Sequence, residues 1–310
     1  MKFSIGIPAY KARFLRECID SILSQTYSDF ELIIVNDASP ENIDEIVKSY
    51  SDKRIRYYVN ERNLGGKDLV AQWHRCIEFA EHEYVLIASD DDVYDKDFLY
   101  SMVQMINKYP KVDVFHSRVQ VVNANGVVID YSTACAEWES CEEFIWNRIC
   151  KGRSQYIPEF VFRRKALMDK GGFVNFPSAW GSDHATSFLL AKEHGVVCCN
   201  LPLFKWRYSG LNISSAGNYV ENKVEGLFQY YYWLKQFVSE LNDSSYKGLI
   251  EIGLEKYLIK RLALLLSQYS LTSLLVKLFN PFANDKRVHK KHLLYGLVFK
   301  IKNVITPFKK

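Results

Sequence analysis

The sequence predicts an α/β protein: a sheet with crossover helices in the first hundred residues, a less regular α+β stretch behind it, and a helical C-terminal region. Three observations predict this. Short apolar runs alternate with stretches of helical periodicity, polar and acidic residues stand at the ends of those runs, and strand-like runs disappear beyond Tyr219.

Taken in order, Phe3–Ile7 is a strand, and Phe14, Leu15, Cys18, Ile19, Ile22 and Leu23 then recur at helical spacing. Glu31–Val35 is a strand, Glu41–Tyr50 a helix, Ile55–Val59 a strand, Asp68–Ala80 a helix and Tyr84–Ala88 a strand. Asp97–Tyr109 is a helix closed by Pro110, and Val112–Val119 pairs with Val127–Ile129 across the Asn125-Gly126 turn. A helix from Trp138 to Cys150, a strand Glu159–Arg163, a helix Ser182–His194 and strands Val196–Cys199 and Phe204–Tyr208 follow. Helices then run Val220–Leu241, Tyr246–Gln268 and Leu271–Phe279, broken at Asn280-Pro281. The predicted division is 1–218, with halves 1–110 and 111–218, and a helical region 219–310.

Composition is that of an ordinary globular chain: 310 residues, 48% hydrophobic and 25% charged. The net charge of +4 is placed unevenly, because eight basic residues and no acid follow Asp285, leaving −4 on residues 1–285. A nucleic-acid partner is therefore not expected. MKFSIGIPAYKARF reads as a strand running into a charged helix, with neither a signal peptide nor a membrane span. Seven cysteines without paired CxxC spacing suggest a reduced, cytoplasmic setting.

In an open α/β sheet, ligands bind outside the carboxyl ends of the strands. Pro8-Ala9-Tyr10 follows the first strand, Asn36-Asp37-Ala38-Ser39 the second and Ser89-Asp90-Asp91-Asp92 the fourth, so three distant segments converge on one rim. Each has a plainer reading: Asp37 as the start of a turn before Pro40, the aspartates as caps of the next helix. Three adjacent acids exceed what a cap needs, and a shared hard cation, Mg²⁺ or Mn²⁺ with phosphate oxygens, accounts for the excess. No GxGxxG follows the first strand, and Gly65-Gly66-Lys67-Asp68 lacks the spacing of a phosphate-binding P-loop.

IGIPAYKARFLRECIDSILSQTYSDFELIIVNDAS, RNLGG, EYVLIASDDDVY and GGFVNFPSAWGSDHATSFLLAKEHG together resemble the family 2 glycosyltransferases, over roughly the first two thirds of the chain. The resemblance implies the GT-A fold, a Rossmann-like mixed sheet flanked by helices, and a nucleoside diphosphate sugar, usually a UDP-sugar, as donor. It implies that Pro8, Ala9 and Tyr10 border the nucleoside, that Asp37 accepts a hydrogen bond from the base, and that Asn63, Gly65 and Lys67 approach the donor. Asp90 falls to the ribose or diphosphate and Asp91 to the metal, with Asp92 the competing ligand; Ser89 stands where many members have the first acid of the motif. The position matching the family's base is Asp183, preceded by Ser182 where a Glu is usual; its plainer reading is a helix N-cap.

The implied reaction is an inverting displacement. Asp183 takes a proton from a hydroxyl of a glycan or lipid-linked oligosaccharide while the metal stabilises the departing diphosphate. Arg207 is read either as a second cationic contact or as an exposed edge-strand residue, and Trp180 as a stacking surface for the acceptor sugar. Residues 286–310, with Leu293, Leu294, Leu297, Val298, Ile301, Val304 and Ile305 at helical spacing among lysines, describe a basic amphipathic helix. It either packs on the preceding helices or lies on an anionic membrane surface, placing the protein at the inner face of the membrane. Two other functions fit the same features: a noncatalytic glycan-assembly protein that keeps the fold, and a sugar nucleotidyltransferase.

Overall fold

A computed structural model describes residues 1–210, 220–242 and 244–268, with Leu294, Tyr295 and Val298 besides. The predicted helix Leu271–Phe279 and, except for Leu294, Tyr295 and Val298, the basic segment 286–310 lie outside the described residues. No helix among the described residues is long and apolar enough to cross a membrane.

The strands β1 (Phe3–Ala9), β2 (Phe30–Asn36), β3 (Ile55–Val59) and β4 (Tyr84–Ile87) pair in parallel, joined by helices α1 (Leu15–Leu23), α2 (Ile43–Lys48) and α3 (Leu69–Glu78). Such strands are covered on both faces and therefore read as continuous apolar runs. In β2, Leu32 and Ile34 join the core on one face while Ile33 and Val35 join that on the other, as the period of two requires. Gly6 of β1 lets α3 approach the sheet, since a Cβ there would sit 2.7 Å from Cys76 Cβ.

The two-residue strand β5 (Val93–Tyr94) and helix α4 (Phe98–Lys108) follow, then β6 (Val114–Asn123), β7 (Val128–Tyr131) and β8 (Trp138–Glu139). After α5 (Cys141–Ile149) come β9 (Phe160–Arg163), α6 (Arg164–Asp169), α7 (Ser182–Ala191) and β10 (Val196–Tyr208). The sheet order is β3-β2-β1-β4-β9-β6-β10-β5, with β7 on β6 and β8 on β10. β9 is antiparallel to both β4 and β6, and β10 is parallel to β6. The carboxyl ends of β1, β2, β4, β6 and β10 consequently share one edge, where β9 begins.

Three predicted elements differ in detail. The helix expected from Trp138 starts only at Cys141, because Trp138 and Glu139 pair with β10 and the Ser140 side chain caps the helix by accepting from the Glu143 amide at 3.1 Å. The strands Val196–Cys199 and Phe204–Tyr208 are one strand whose register shifts between Cys199 and Phe204, where the Gln120 amide reaches the Pro202 carbonyl at 2.7 Å. The helix expected to reach His194 ends at Ala191, and Gly195 then adopts φ +74°.

Helices α8 (Val220–Ser239) and α9 (Ser245–Leu266) continue the core of the sheet. Leu227, Phe228, Leu234, Leu258 and Leu262 belong to the same apolar cluster as Ile33 and Val35.

Candidate active site

The rim is held together by hydrogen bonds between segments far apart in sequence. One oxygen of Asp90 accepts the backbone amides of Tyr10 and Lys11 at 2.8 and 2.7 Å, tying the loop after β4 to the exit of β1. Burial pushes the Asp90 carboxyl up to about 6, with the two amides opposing the shift. Asp92 is fully buried; its Oδ1 accepts the Arg207 amide at 2.8 Å, and its Oδ2 has no hydrogen-bond partner. Burial holds Asp92 well above the usual carboxylate range, with the charge of Asp91 adding to it. Asp91 is 6% exposed and is raised by burial against the pull of Lys11 and Arg207.

Arg207 is neither exposed nor on an open edge, which sets aside the edge-strand reading. Its guanidinium reaches Glu17 at 2.6 Å and the Asp91 carbonyl at 2.8 Å and lies over the Phe14 ring. It braces the acidic loop from behind.

Asp37 is buried with both carboxylate oxygens engaged. Oδ1 accepts Asn60 Nδ2 and the Leu64 amide, each at 2.8 Å, and Oδ2 accepts Asn63 Nδ2 at 3.0 Å and the Gly65 amide at 2.8 Å. A carboxylate offers about four acceptor positions, so Asp37 is committed to the loop 60–65, and Asn63 is turned towards it. Lys67, on the same loop, is exposed. Of the three residues expected at the nucleoside, Ala9 is fully buried and gives its carbonyl to the Asp37 amide at 2.9 Å, Pro8 is partly exposed, and Tyr10 presents a ring that is 40% exposed.

On the other side of the rim, Tyr94 Oη donates to the Pro158 carbonyl at 2.8 Å, joining the acidic segment to the start of β9. Glu159 follows, buried and pushed well up by desolvation, with Asp183 close enough to add to the shift. Asp183 stands in the first turn of α7 with its side chain 19% exposed. Burial raises its carboxyl to about 6, partly offset by Arg148 and by the amides at the helix start.

Its neighbour His184 is neutral. Burial and Arg148 hold the imidazole well below its usual range, and Nε2 accepts Arg148 Nε at 2.8 Å, so the 3.7 Å contact with Asp183 is not an ion pair.

The approach to Asp183 is backbone in rare conformations. Ser178 and Ala179 have φ +56° and +52°, and Gly181 has φ +91° with its α-carbon facing the Tyr230 ring. Ser182 does not cap α7 in the ordinary way: its Oγ accepts the Phe176 amide at 3.1 Å and folds the preceding turn back on the helix. Trp180, expected to stack on a sugar, has Lys223 Nζ 5.7 Å and the Arg261 guanidinium 5.5 Å from its ring. Glu17, Asn60, Arg148 and Glu159 were not singled out from sequence, where isolated polar residues carry no local signal of convergence.

A sequence model of Glycosyl transferase family 2 matches residues 4–172. The chain is 28% identical over 219 residues to glycosyltransferase GlyG of Streptococcus pneumoniae, covering 66% of this chain and 70% of that one. It is 23% identical over 240 residues to the UDP-Glc:α-D-GlcNAc-diphosphoundecaprenol β-1,3-glucosyltransferase WfgD of Escherichia coli, covering 73% and 89%. Against a glycosyltransferase of Rickettsia felis the match spans only 21% of the relative. Among solved structures, Staphylococcus aureus TarS 1–349 in complex with UDP-GlcNAc superposes with TM-score 0.68 at 18% identity, covering 100% of this chain and 93% of that one. The Pyrobaculum calidifontis mannosyltransferase PcManGT in complex with GDP-Man and Mn²⁺ gives TM-score 0.57 at 16% identity, covering 97% and 87%. Matched by its family over more than half of its length, and carrying the mixed sheet of the GT-A type, the chain belongs to glycosyltransferase family 2.

Proposed function

We propose that this glycosyltransferase moves a sugar from a UDP-sugar to a hydroxyl of a glycan or lipid-linked saccharide, with inversion and with Asp183 as general base. The observation that carries the reading is Asp183 itself: a partly exposed carboxyl at the sheet rim, held near pH 6, where a base can both accept a proton and release it. The donor assignment is supported by the complex of TarS with UDP-GlcNAc and by the UDP-Glc in the name of WfgD; the acceptor class is supported by the diphosphoundecaprenol in that same name.

In this reaction Asp183 removes the acceptor hydroxyl proton, the oxygen forms a bond to the anomeric carbon, and the bond from that carbon to the diphosphate breaks with its electron pair leaving on phosphate. Tyr10 offers its ring to the base, Lys67 its charge to the diphosphate, and Asp90 its second oxygen to the ribose. Asp37 acts through the loop it organises, and displacement of that loop would free its oxygens for the base.

The acidic loop fits a divalent cation. Its donors are hard oxygens, all three carboxyls are raised by burial, and Asp92 Oδ2 is a buried acceptor without a partner. Asp91, less deeply buried than Asp92, would hold Mg²⁺ or Mn²⁺ with Asp92 behind it; the ion would supply Lewis-acid stabilisation of the leaving diphosphate. PcManGT with Mn²⁺ supports this choice of metal.

A screen of nucleotide sugars by thermal stabilisation, with and without Mn²⁺ and repeated on Asp91→Ala, tests the donor site. Stabilisation by a UDP-sugar that requires the metal and vanishes in the variant is expected; equal stabilisation without metal would overturn the assignment.

A further inference from the structure

Away from the acidic rim, the side chains of His116, Cys135 and Cys198 bring one imidazole nitrogen and two thiol sulfurs within 4.8 Å of one another, the one such group of three among the described residues. Their convergence is built by the fold rather than by sequence spacing. His116 on β6 and Cys198 on β10 are direct partners in the parallel pairing, so both project from the same face of the sheet. Cys135 comes from the loop between β7 and β8, which is clamped over that face. The Cys135 amide donates to Asn200 Oδ1 at 3.1 Å, and the Cys198 amide to the Glu137 carbonyl at 2.8 Å.

The imidazole is prepared as a ligand. His116 Nδ1 lies 3.2 Å from the Ser117 carbonyl, which can only accept, so Nδ1 carries the proton and Nε2 presents its lone pair. That Nε2 is buried with no hydrogen-bond partner in a residue 4% exposed. An orphaned acceptor in the interior is costly, and a neutral imidazole oriented by a carbonyl on its other nitrogen is the usual form of a metal-bound histidine. The rings of Phe160 and Phe144 lie 5.1 and 6.1 Å from it and form the apolar wall expected around such a centre.

We propose that His116, Cys135 and Cys198 bind one zinc ion, at a site separate from the acidic donor site. Tetrahedral Zn²⁺ with two thiolates and one imidazole needs its donor atoms about 3.7 Å apart. The three atoms have to close by no more than about 1 Å, and Cys135 is the most exposed of the three. Two thiolates and a neutral imidazole carry two negative charges, which the ion neutralises. The partly exposed side of Cys135 leaves a fourth position open to water. Bound there, zinc would pin the 132–137 loop to β6 and β10, close to buried Glu159, which Cys135 helps to push up and which in turn helps to push up the Cys198 thiol. A disulfide between the two cysteines would use the thiols and leave His116 Nε2 unserved, which is why the metal is the better occupant.

The test uses the full chain, reduced and freed of metal by a chelator, and Co²⁺ as the spectroscopic probe. In excess Mg²⁺, which competes for the acidic site and not for thiolates, wild type is expected to take up one equivalent with near-ultraviolet thiolate-to-cobalt charge transfer and the strong visible bands of a four-coordinate ion, and Zn²⁺ should displace it. Cys135→Ser and His116→Gln should weaken the uptake that develops this band at least 100-fold, whereas Cys150→Ser, at an exposed cysteine outside the group, should leave it unchanged. Cys135 is only half-buried, so Cys135→Ser is the variant expected to fold; its metal-free melting temperature should match that of metal-free wild type, and only wild type should gain from Zn²⁺. Absence of the charge-transfer band in reduced wild type, its persistence in Cys135→Ser, or a Cys135–Cys198 disulfide in a protein that zinc does not stabilise would overturn the proposal.

Discussion

Asp92 accepts a hydrogen bond from the backbone amide of Arg207, 115 residues further along the chain, and thereby locks the acidic loop to the end of β10. This bond divides the labour of the neighbouring acids: Asp92 has an oxygen committed to the fold, and Asp91 stands nearer the surface.

Asp91→Asn should therefore weaken Mn²⁺-dependent binding of UDP about 100-fold with little change in melting temperature, a loss of ~3 kcal/mol of binding. Asp92→Asn keeps an acceptor for the Arg207 amide and should weaken that binding less than about tenfold, by under ~1.4 kcal/mol. Asp92→Ala leaves the amide unpaired and should lower stability by about 1–3 kcal/mol. Calorimetric titration with UDP and Mn²⁺, alongside urea unfolding, separates the three.

Asp183→Asn should reduce turnover by about 10²–10⁴-fold with donor binding intact, and in wild type kcat/KM should fall below about pH 6 as the base is protonated. The stability effect has the opposite sign. A carboxyl raised from 3.8 to about 6 binds its proton more tightly in the folded state, so its contribution to stability declines as pH rises through that interval. Relief of this cost should make Asp183→Asn more stable than wild type at pH 7, by up to about 3 kcal/mol, and indistinguishable from it below about pH 4. Chemical unfolding at the two pH values measures it.

Asp37→Ala removes the acceptor for four donors at once, two of them amides of the loop 60–65. Stability should fall by roughly 2–4 kcal/mol and UDP binding should be lost with it. Asp37→Asn keeps one acceptor oxygen and should recover part of the stability; protease cleavage near Gly65-Gly66, rising in the order wild type, Asn, Ala, reports the loosening of the loop.

Gly181→Ala places a methyl group 2.5 Å from the Tyr230 ring at φ +91°. A loss of about 2–4 kcal/mol is expected, together with a fall in kcat larger than that in donor affinity, because the displaced turn carries Asp183 and not the donor loops.

The parallel half of the sheet was legible in the sequence because strands buried on both faces have nowhere to put polar residues, so β1, β2 and β4 stand out as apolar runs. β5 and β8 were not, since two residues hold no period; they exist only because β10 offers them a partner. The acidic triplet and Asp183 were visible as residues, but their division of roles was not. Nothing in the order Ser89-Asp90-Asp91-Asp92 says that Asp90 will face the amides of Tyr10 and Lys11 while Asp92 faces that of Arg207. Likewise, the cysteines at 135 and 198 fail the local spacing rule for zinc because sheet pairing brings Cys198 to His116 and the loop between β7 and β8 brings Cys135.

The continuity of the core from the sheet into α8 bears on how relatives of this chain can be recombined. The family match ends at residue 172, yet the turn that aims Asp183 lies beyond it and is wedged in place by Tyr230 of α8. A chimera that joins a foreign helical region at residue 218 would keep Asp183 and discard the wedge. Grafts that preserve turnover should carry 173–268 as a single block, so that the unit of exchange is the turn with its helix and not the helix alone.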